Sequence, residues 1–256
     1  MPSDGIILFV LLSFVAAYVQ TLTGFAFGLL LMGAVALIGL VPLPEAAIIV
    51  SILTLANALM VLAKGWRDVA AAPFALSLAG AIPLILIGYV LLNLLASSSL
   101  AALRLVLGLV IIISSLQLIF RPSPREVLSS RPSFVFFGAL GGVMGGLFST
   151  AGPPLVYHFY RQPLPYSTIR ETLVAVFAIN AIFRLILVVA SGEWPANALT
   201  WALAGLPGVL VATFAARRWP PRVSPIALRR LAFLLLLLSG LSLILPVLAA
   251  SGAGDA

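Results

Sequence analysis

From Gly5 to Leu40 the chain runs for 36 residues without one charged side chain. A soluble domain carries about 25% charged residues; this chain carries 8%, against 62% hydrophobic. A water-facing surface cannot be built from so few charges. Lipid removes that demand, because the exterior may then be apolar all round. Further apolar runs fill 45–63, 69–95, 100–120, 133–148, 153–160, 167–190, 196–216 and 226–249, and the first stretch itself divides into 5–19 and 25–40. Most are long enough to cross a hydrocarbon core of about 30 Å at a rise of about 1.5 Å per residue. The expected fold is an all-α polytopic membrane protein of about eight to ten membrane helices.

Charge is sparse but ordered. The 14 Lys and Arg exceed the 7 Asp and Glu, giving a net charge of +7. The cations sit between apolar runs, so they report topology, and no nucleic-acid partner is expected. Without cysteine there are no disulfides, thiolate metal sites or redox motifs. One histidine and scattered acids leave no metal cluster, and no cofactor is expected. Met1 to Asp4 lack the basic start of a signal peptide, and no A-x-A site follows, so insertion without cleavage is expected.

Two apolar stretches are interrupted. Gly5 to Leu40 would be about 54 Å long as one helix, too long for one crossing, and Gln20-Thr21-Leu22-Thr23-Gly24 breaks it. Phe134 to Tyr160 is broken at Ser149-Thr150-Ala151-Gly152-Pro153-Pro154. The piece after that break is about 12 Å as a helix, roughly half a bilayer.

The chain also repeats itself. Leu78-Ala79-Gly80 and Ala102-Leu103-Arg104 recur 125 residues later as Leu203-Ala204-Gly205 and Ala227-Leu228-Arg229. Pro42-Leu43-Pro44 returns as Pro163-Leu164-Pro165, and Thr21-x-x-Gly24 resembles Ser149-x-x-Gly152. Their common order points to a duplication: a first repeat over 1–120, a cytoplasmic linker over 121–132, and a second repeat over 133–256.

Loop charges choose the topology. If each broken segment crosses once, the two faces collect 5 and 8 cations, nearly no bias. If each is a hairpin returning to its own side, Lys64, Arg67, Arg121, Arg125, Arg131, Arg161, Arg170, Arg217, Arg218, Arg222, Arg229 and Arg230 share one face. Arg104 alone lies opposite, with Arg184 inside a helix. Twelve against one is a strong positive-inside signal. Each half is then a re-entrant hairpin plus three transmembrane helices, the halves are inverted, and both termini are periplasmic. Inverted repeats with interrupted helices mark secondary transporters.

Breaks in lipid strand backbone groups at several kcal/mol each unless protein or a watery cavity covers them. Gly24 and Gly152 permit tight turns; Thr21, Thr23, Ser149 and Thr150 can cap the new helix start and offer hydroxyls. Exposed amides and a partial positive charge of about half a unit suit an anion; the alternative is a pair of kinks satisfied by neighbours. Arg184 lies deep in its run, where a charge costs at least ~2.5 kcal/mol. Asn180 sits one turn earlier on the same face, and Asn57 holds a similar place in the first half. They read as an anion counter-charge with orienting amides, or as an arginine snorkelling or bonding free carbonyls. Gln20 lines the first break or caps it. His158 is a candidate gate or proton site, its neighbours Tyr160 and Arg161 interfacial anchors. Glu171 beside Arg170 reads as a local ion pair, with a coupling role the alternative. Gly138 to Gly146 is helix-packing material, lacking the lysine of a phosphate loop.

These segments resemble a known family. Gln20 to Gly28, and Gly141 to Pro154 with its glycine-rich run ending in Gly-Pro-Pro, are similar to the TauE/SafE sulfite exporters, also called toluene-sulfonate uptake permeases. The resemblance implies a bacterial inner-membrane carrier of small sulfur-containing or organic anions such as sulfite, sulfonates or sulfoacetate. The expectation is therefore a secondary anion transporter working by alternating access, its partners the lipid bilayer, a small anion and a coupling proton. A membrane-embedded enzyme using His158, Glu171 and Arg184, or an accessory membrane subunit, are the alternatives; no Walker A sequence, metal-ligand spacing or nucleophile elbow is present. The hairpin topology makes a direct prediction. Single cysteines placed at residue 3 and at residue 66 of this cysteine-free chain should label from opposite sides of the membrane; labelling from the same side excludes the hairpins.

Overall fold

A computed structural model describes residues 3–119, 125–150, 152–220 and 225–252. Among them are ten α-helices: α1 (Ser3–Thr23), α2 (Phe27–Ile38), α3 (Leu43–Gly65), α4 (Ala71–Ser98), α5 (Leu100–Ile119), α6 (Arg131–Phe148), α7 (Gly152–Tyr160), α8 (Tyr166–Ser191), α9 (Ala198–Arg218) and α10 (Pro225–Gly252). A 3-10 turn, Trp66–Asp68, follows α3. No strand occurs among the described residues. Arg121, Ala151 and Arg222 lie outside them, as does part of the linker.

Six helices, α1, α3, α4, α6, α8 and α9, are long and apolar enough to cross a membrane. Their side chains are distributed inside out. Leu59 is 72% exposed and Val189 66%, while Asn57 is 0% and Arg184 1% exposed. In water such a surface would aggregate; in lipid it is the stable arrangement, and the polar groups must find partners within the protein. The chain is thus a multi-pass membrane protein.

Helix pairing follows a reciprocal scheme. The most extensive contact is α4 along α6, and its counterpart is α9 along α1. Other large contacts join α5 with α10 and α3 with α8. Contacts fix the directions. Gly138, Gly142 and Gly146 meet Ser77, Ala81 and Ile85 in order, so α4 and α6 run parallel. Phe9 stacks edge-on against Trp201 at 5.1 Å, and Gly208 meets Val10 and Phe14, so α1 and α9 are parallel too. Gly108 lies against Gly240 and Ile244 while Gly240 also meets Ile112, which makes α5 and α10 antiparallel. Gly65, at the end of α3, packs on Glu171 near the start of α8, so those two are antiparallel.

Each short helix turns back. After α2, Leu40 lies 3.7 Å from the position of a side chain on Gly5. After α7, the Arg161 carbonyl accepts a 2.8 Å hydrogen bond from the Arg125 amide, and Ser129 N–H donates to Gln162 Oε1 at 2.9 Å, close to where α6 begins.

The α4–α6 seam explains the glycine-rich run. Helices lack a hydrophobic drive to associate in lipid and rely on close van der Waals packing, which small residues permit. Glycines four apart on α6 place its backbone directly on that of α4; a Cβ at Gly142 would overlap the Ala81 carbonyl, and one at Gly146 the Ile85 carbonyl. Pro83 and Pro207 each remove a hydrogen bond inside α4 and α9. Gly142→Val should cost about 1–3 kcal/mol from overpacking, read as a lower thermal unfolding midpoint in detergent. Leu140→Ala, on the exposed face, should shift it far less.

Candidate functional site

The two helix breaks organise the polar interior, and they are built differently. At the first, Gly24 and Ala26 take left-handed backbone angles, φ 80° and 83°. Neither threonine caps α2. Thr21 donates to the Ala17 carbonyl at 2.7 Å, and Thr23 to the Val19 and Phe25 carbonyls at 2.7 and 2.9 Å. The cap comes from Gln20, whose Oε1 accepts from the Phe27 amide at 3.3 Å. A threonine still inside α1 can reach its own i−4 carbonyl, which leaves the longer glutamine to span the turn. Gln20 Nε2 donates to Asn57 Oδ1 at 2.9 Å. Asn57 Nδ2 in turn donates to Thr21 Oγ1 at 2.9 Å and Thr213 Oγ1 at 2.8 Å. Asn57 therefore has both ends of its amide occupied.

At the second break Ser149 closes α6 in the left-handed region, φ 55°, and Gly152 opens α7 at φ 68°. Ser149 does not cap α7. Its hydroxyl donates to the Ala47 carbonyl and lies 2.7 Å from Ser51 Oγ, pinning this break to α3. Thr150 packs on Gly28 in the first turn of α2, where a Cβ would come within 2.9 Å of it. The two breaks therefore overlap side by side.

Asn180 and Arg184 face the end of α6. Arg184 Nε donates to the Gly146 carbonyl at 3.0 Å, and its guanidinium lies 5.8 Å from the Tyr89 ring centroid. Gly145 is adjacent to the Asn180 amide, 3.4 Å from where its Cβ would stand. Arg184 Nη1 and both polar atoms of Asn180 are buried without a hydrogen-bond partner. The contrast with Asn57, which occupies the same position in α3, is complete. Tyr89 is held from the far side: its hydroxyl donates to Glu193 Oε2 at 2.9 Å and lies 2.8 Å from Ser191 Oγ.

The remaining candidates lie apart from Arg184. His158 is 4% exposed and wedged between Phe134 and Phe137, ring centroids at 4.7 and 4.4 Å. Glu171 pairs with Arg170 at 2.7 Å, the local ion pair expected from their adjacency, and the Arg170 stem lies against Gly24. A cavity of about 510 Å³ opens elsewhere, lined by Leu40, Leu43, Leu103 and Arg104 among others.

Gln20, Thr21, Asn57, Asn180 and Arg184, expected from the sequence as substrate contacts, are all buried. Ser51, Tyr89 and Thr213 were not among the expected residues; Thr213 stands out as a lone polar group in an apolar run.

Residues 9–243 match the sulfite exporter TauE/SafE family. The chain belongs to that family. It is 37% identical over 238 residues, 91% of each chain, to a protein of Cupriavidus necator named "Probable sulfite/organosulfonate exporter TauE". No solved structure matches. For a TauE/SafE protein, the glycine-rich α6 and the Gly-Pro-Pro start of α7 are thus the two sides of the break that Arg184 and Asn180 face.

The unequal satisfaction of the two asparagines predicts unequal stability costs. Asn57→Ala strands the Gln20 amide and should cost about 1–3 kcal/mol; Asn180→Ala should be close to neutral. Thermal unfolding of both variants in detergent checks this, and equal losses would contradict it.

Proposed function

We propose that this TauE/SafE protein is a secondary transporter that moves a small sulfur-containing or organic anion, sulfite or an organosulfonate such as sulfoacetate, out across a bacterial inner membrane. The observation that carries this is the buried Arg184 guanidinium with an unpartnered Nη1, next to the unpartnered amide of Asn180. A charge in the membrane interior is costly, and an unfilled donor beside it costs more; both are tolerated where a ligand completes them. Gly145, beside Asn180, accepts on its carbonyl the amide of Ser149, the residue that ends α6. The name of the Cupriavidus relative supports the choice of anion.

On this proposal the chain is two inverted repeats, 1–120 and 133–256, joined by a cytoplasmic linker over 121–132, with both termini periplasmic. Support comes from the antiparallel packing of equivalent helices, α5 on α10 and α3 on α8, and from the return of α2 beside Gly5 and of α7 beside Arg125. A parallel duplication would pair them in the same sense. The anion sits between the overlapping breaks, contacted by Asn180, Arg184, Ser149, Thr150 and Gly152. Gln20, Thr21, Thr23, Gly24 and Asn57 brace the first break on its other side. Alternating access follows from rocking one half against the other about the α3–α8 and α5–α10 seams.

Purified protein in liposomes should give saturable sulfite flux. Arg184→Gln should lower that flux by about tenfold or more, the order expected for losing a charge-assisted hydrogen bond. Undiminished flux in the variant removes Arg184 from the site.

A further inference from the structure

We infer that the Arg184–Asn180 site selects a singly charged oxyanion that carries its own O–H, of which hydrogensulfite is a small sulfur-containing example. This refines the transport proposal above and rests on it. The donors and acceptors left open at the site define its ligand. Arg184 is 1% exposed and Asn180 4%, so neither can count on bulk water. Arg184 Nη1 is a donor with nothing to donate to, and Asn180 Nδ2 is another. Asn180 Oδ1 is an acceptor with nothing to accept from. An amide presents two N–H donors and one carbonyl acceptor, so exchanging its two ends leaves the inventory unchanged. The ligand that fills this set must accept at several oxygens and donate at one.

Neither Tyr89 nor the facing α6 backbone supplies the missing donor. The Tyr89 hydroxyl is committed to Glu193 and lies beside Ser191. The α6 face opposite offers the glycine backbone at Gly145 and Gly146, and the Gly146 carbonyl already accepts from Arg184 Nε. On this inference the O–H arrives on the ligand. Charge narrows the class further. One guanidinium neutralises one negative charge; a dianion would leave a second one buried and uncompensated. Sulfite dianion fails on charge and on the missing donor. A simple alkanesulfonate matches the charge but leaves Asn180 Oδ1 empty. Hydrogensulfite meets both requirements, and its proton is carried on the cargo, so neither His158 nor Glu171 has to shuttle it.

Competition for labelled sulfite flux in proteoliposomes, at one fixed pH, tests this. Hydrogencarbonate and hydrogenselenite bear an O–H; nitrate and methanesulfonate are monoanions that do not. The O–H-bearing anions should compete at concentrations about tenfold or more lower, because a buried acceptor left unpaired costs that order in affinity. Asn180→Leu should bring the two groups of anions to within about twofold of each other by removing that acceptor. Saturable wild-type flux that nitrate and methanesulfonate inhibit as well as hydrogencarbonate and hydrogenselenite do overturns this inference alone. Absence of saturable wild-type flux overturns the transport proposal, and this inference with it. The wild-type series decides the matter even if the leucine variant fails to fold.

Discussion

A helix that stops inside a bilayer leaves amides and carbonyls that lipid cannot satisfy, each at a cost of several kcal/mol. Satisfying those groups at two places determines most of the polar architecture of this protein. Each break is braced by the opposite half of the chain. The first leans on α8 and its approach: Arg170 packs on Gly24, Tyr166 donates to the Leu22 carbonyl, and Tyr160 donates to the Thr23 carbonyl. The second leans on α3, through Ala47 and Ser51. Local partners, Gln20 and Asn57 at the first break and Arg184 at the second, complete what these distant segments begin. The glycine seam between α4 and α6 also links the halves, since it joins the fourth helix of one half to the first of the other.

Equivalent positions have diverged in what they do. Asn57 and Asn180 both face the end of a broken helix, but Asn57 is saturated by Gln20, Thr21 and Thr213. Phe148, the residue before Ser149, stands where Gln20 precedes Thr21, and an aromatic side chain offers no amide to pair with Asn180. Gly88, 125 residues before Thr213, likewise offers no hydroxyl. Asn180 has none of the partners that hold Asn57. Arg184 stands one turn beyond Asn180, where Val61 stands one turn beyond Asn57. On the proposed function, the first break serves as a structural brace and the second is left for a ligand.

Much of this was legible in the sequence because lipid simplifies the code. Uncharged runs of bilayer length can only be helices, so the helical fold followed from Gly5 to Leu40 and its successors. The breaks were visible because Gly-Pro-Pro and Gln-Thr-Leu-Thr-Gly interrupt that pattern. Capping was not legible. Thr21 and Thr23 have the right chemistry for an N-cap, but both remain within reach of carbonyls one turn back in α1. Helix C-terminal competition of this kind depends on where α1 ends, which periodicity fixes only to within about two residues. The state of Asn57 against Asn180 was not legible either. Thr213 is 156 residues from Asn57, and only the folded packing of α9 on α3 brings them together.

The charge of the proposed cargo bears on how the carrier is driven. A membrane potential does work of roughly 2.3 kcal/mol on each elementary charge per 100 mV. With the cell interior negative, that is enough to hold a monoanion roughly fifty-fold more dilute inside than outside. Export of a singly charged oxyanion therefore needs no separate coupling ion. A site with one buried guanidinium is matched to that economy: a second cation would admit a dianion but would itself have to be buried and paired whenever the site stood empty. The ion pair of Arg170 and Glu171 at the far end of α8 illustrates that cost, since its arginine is neutralised by a carboxylate and cannot serve a passing anion at full charge. Arg184 has no acid within ion-pair distance among the described residues, as the proposed monoanion site requires.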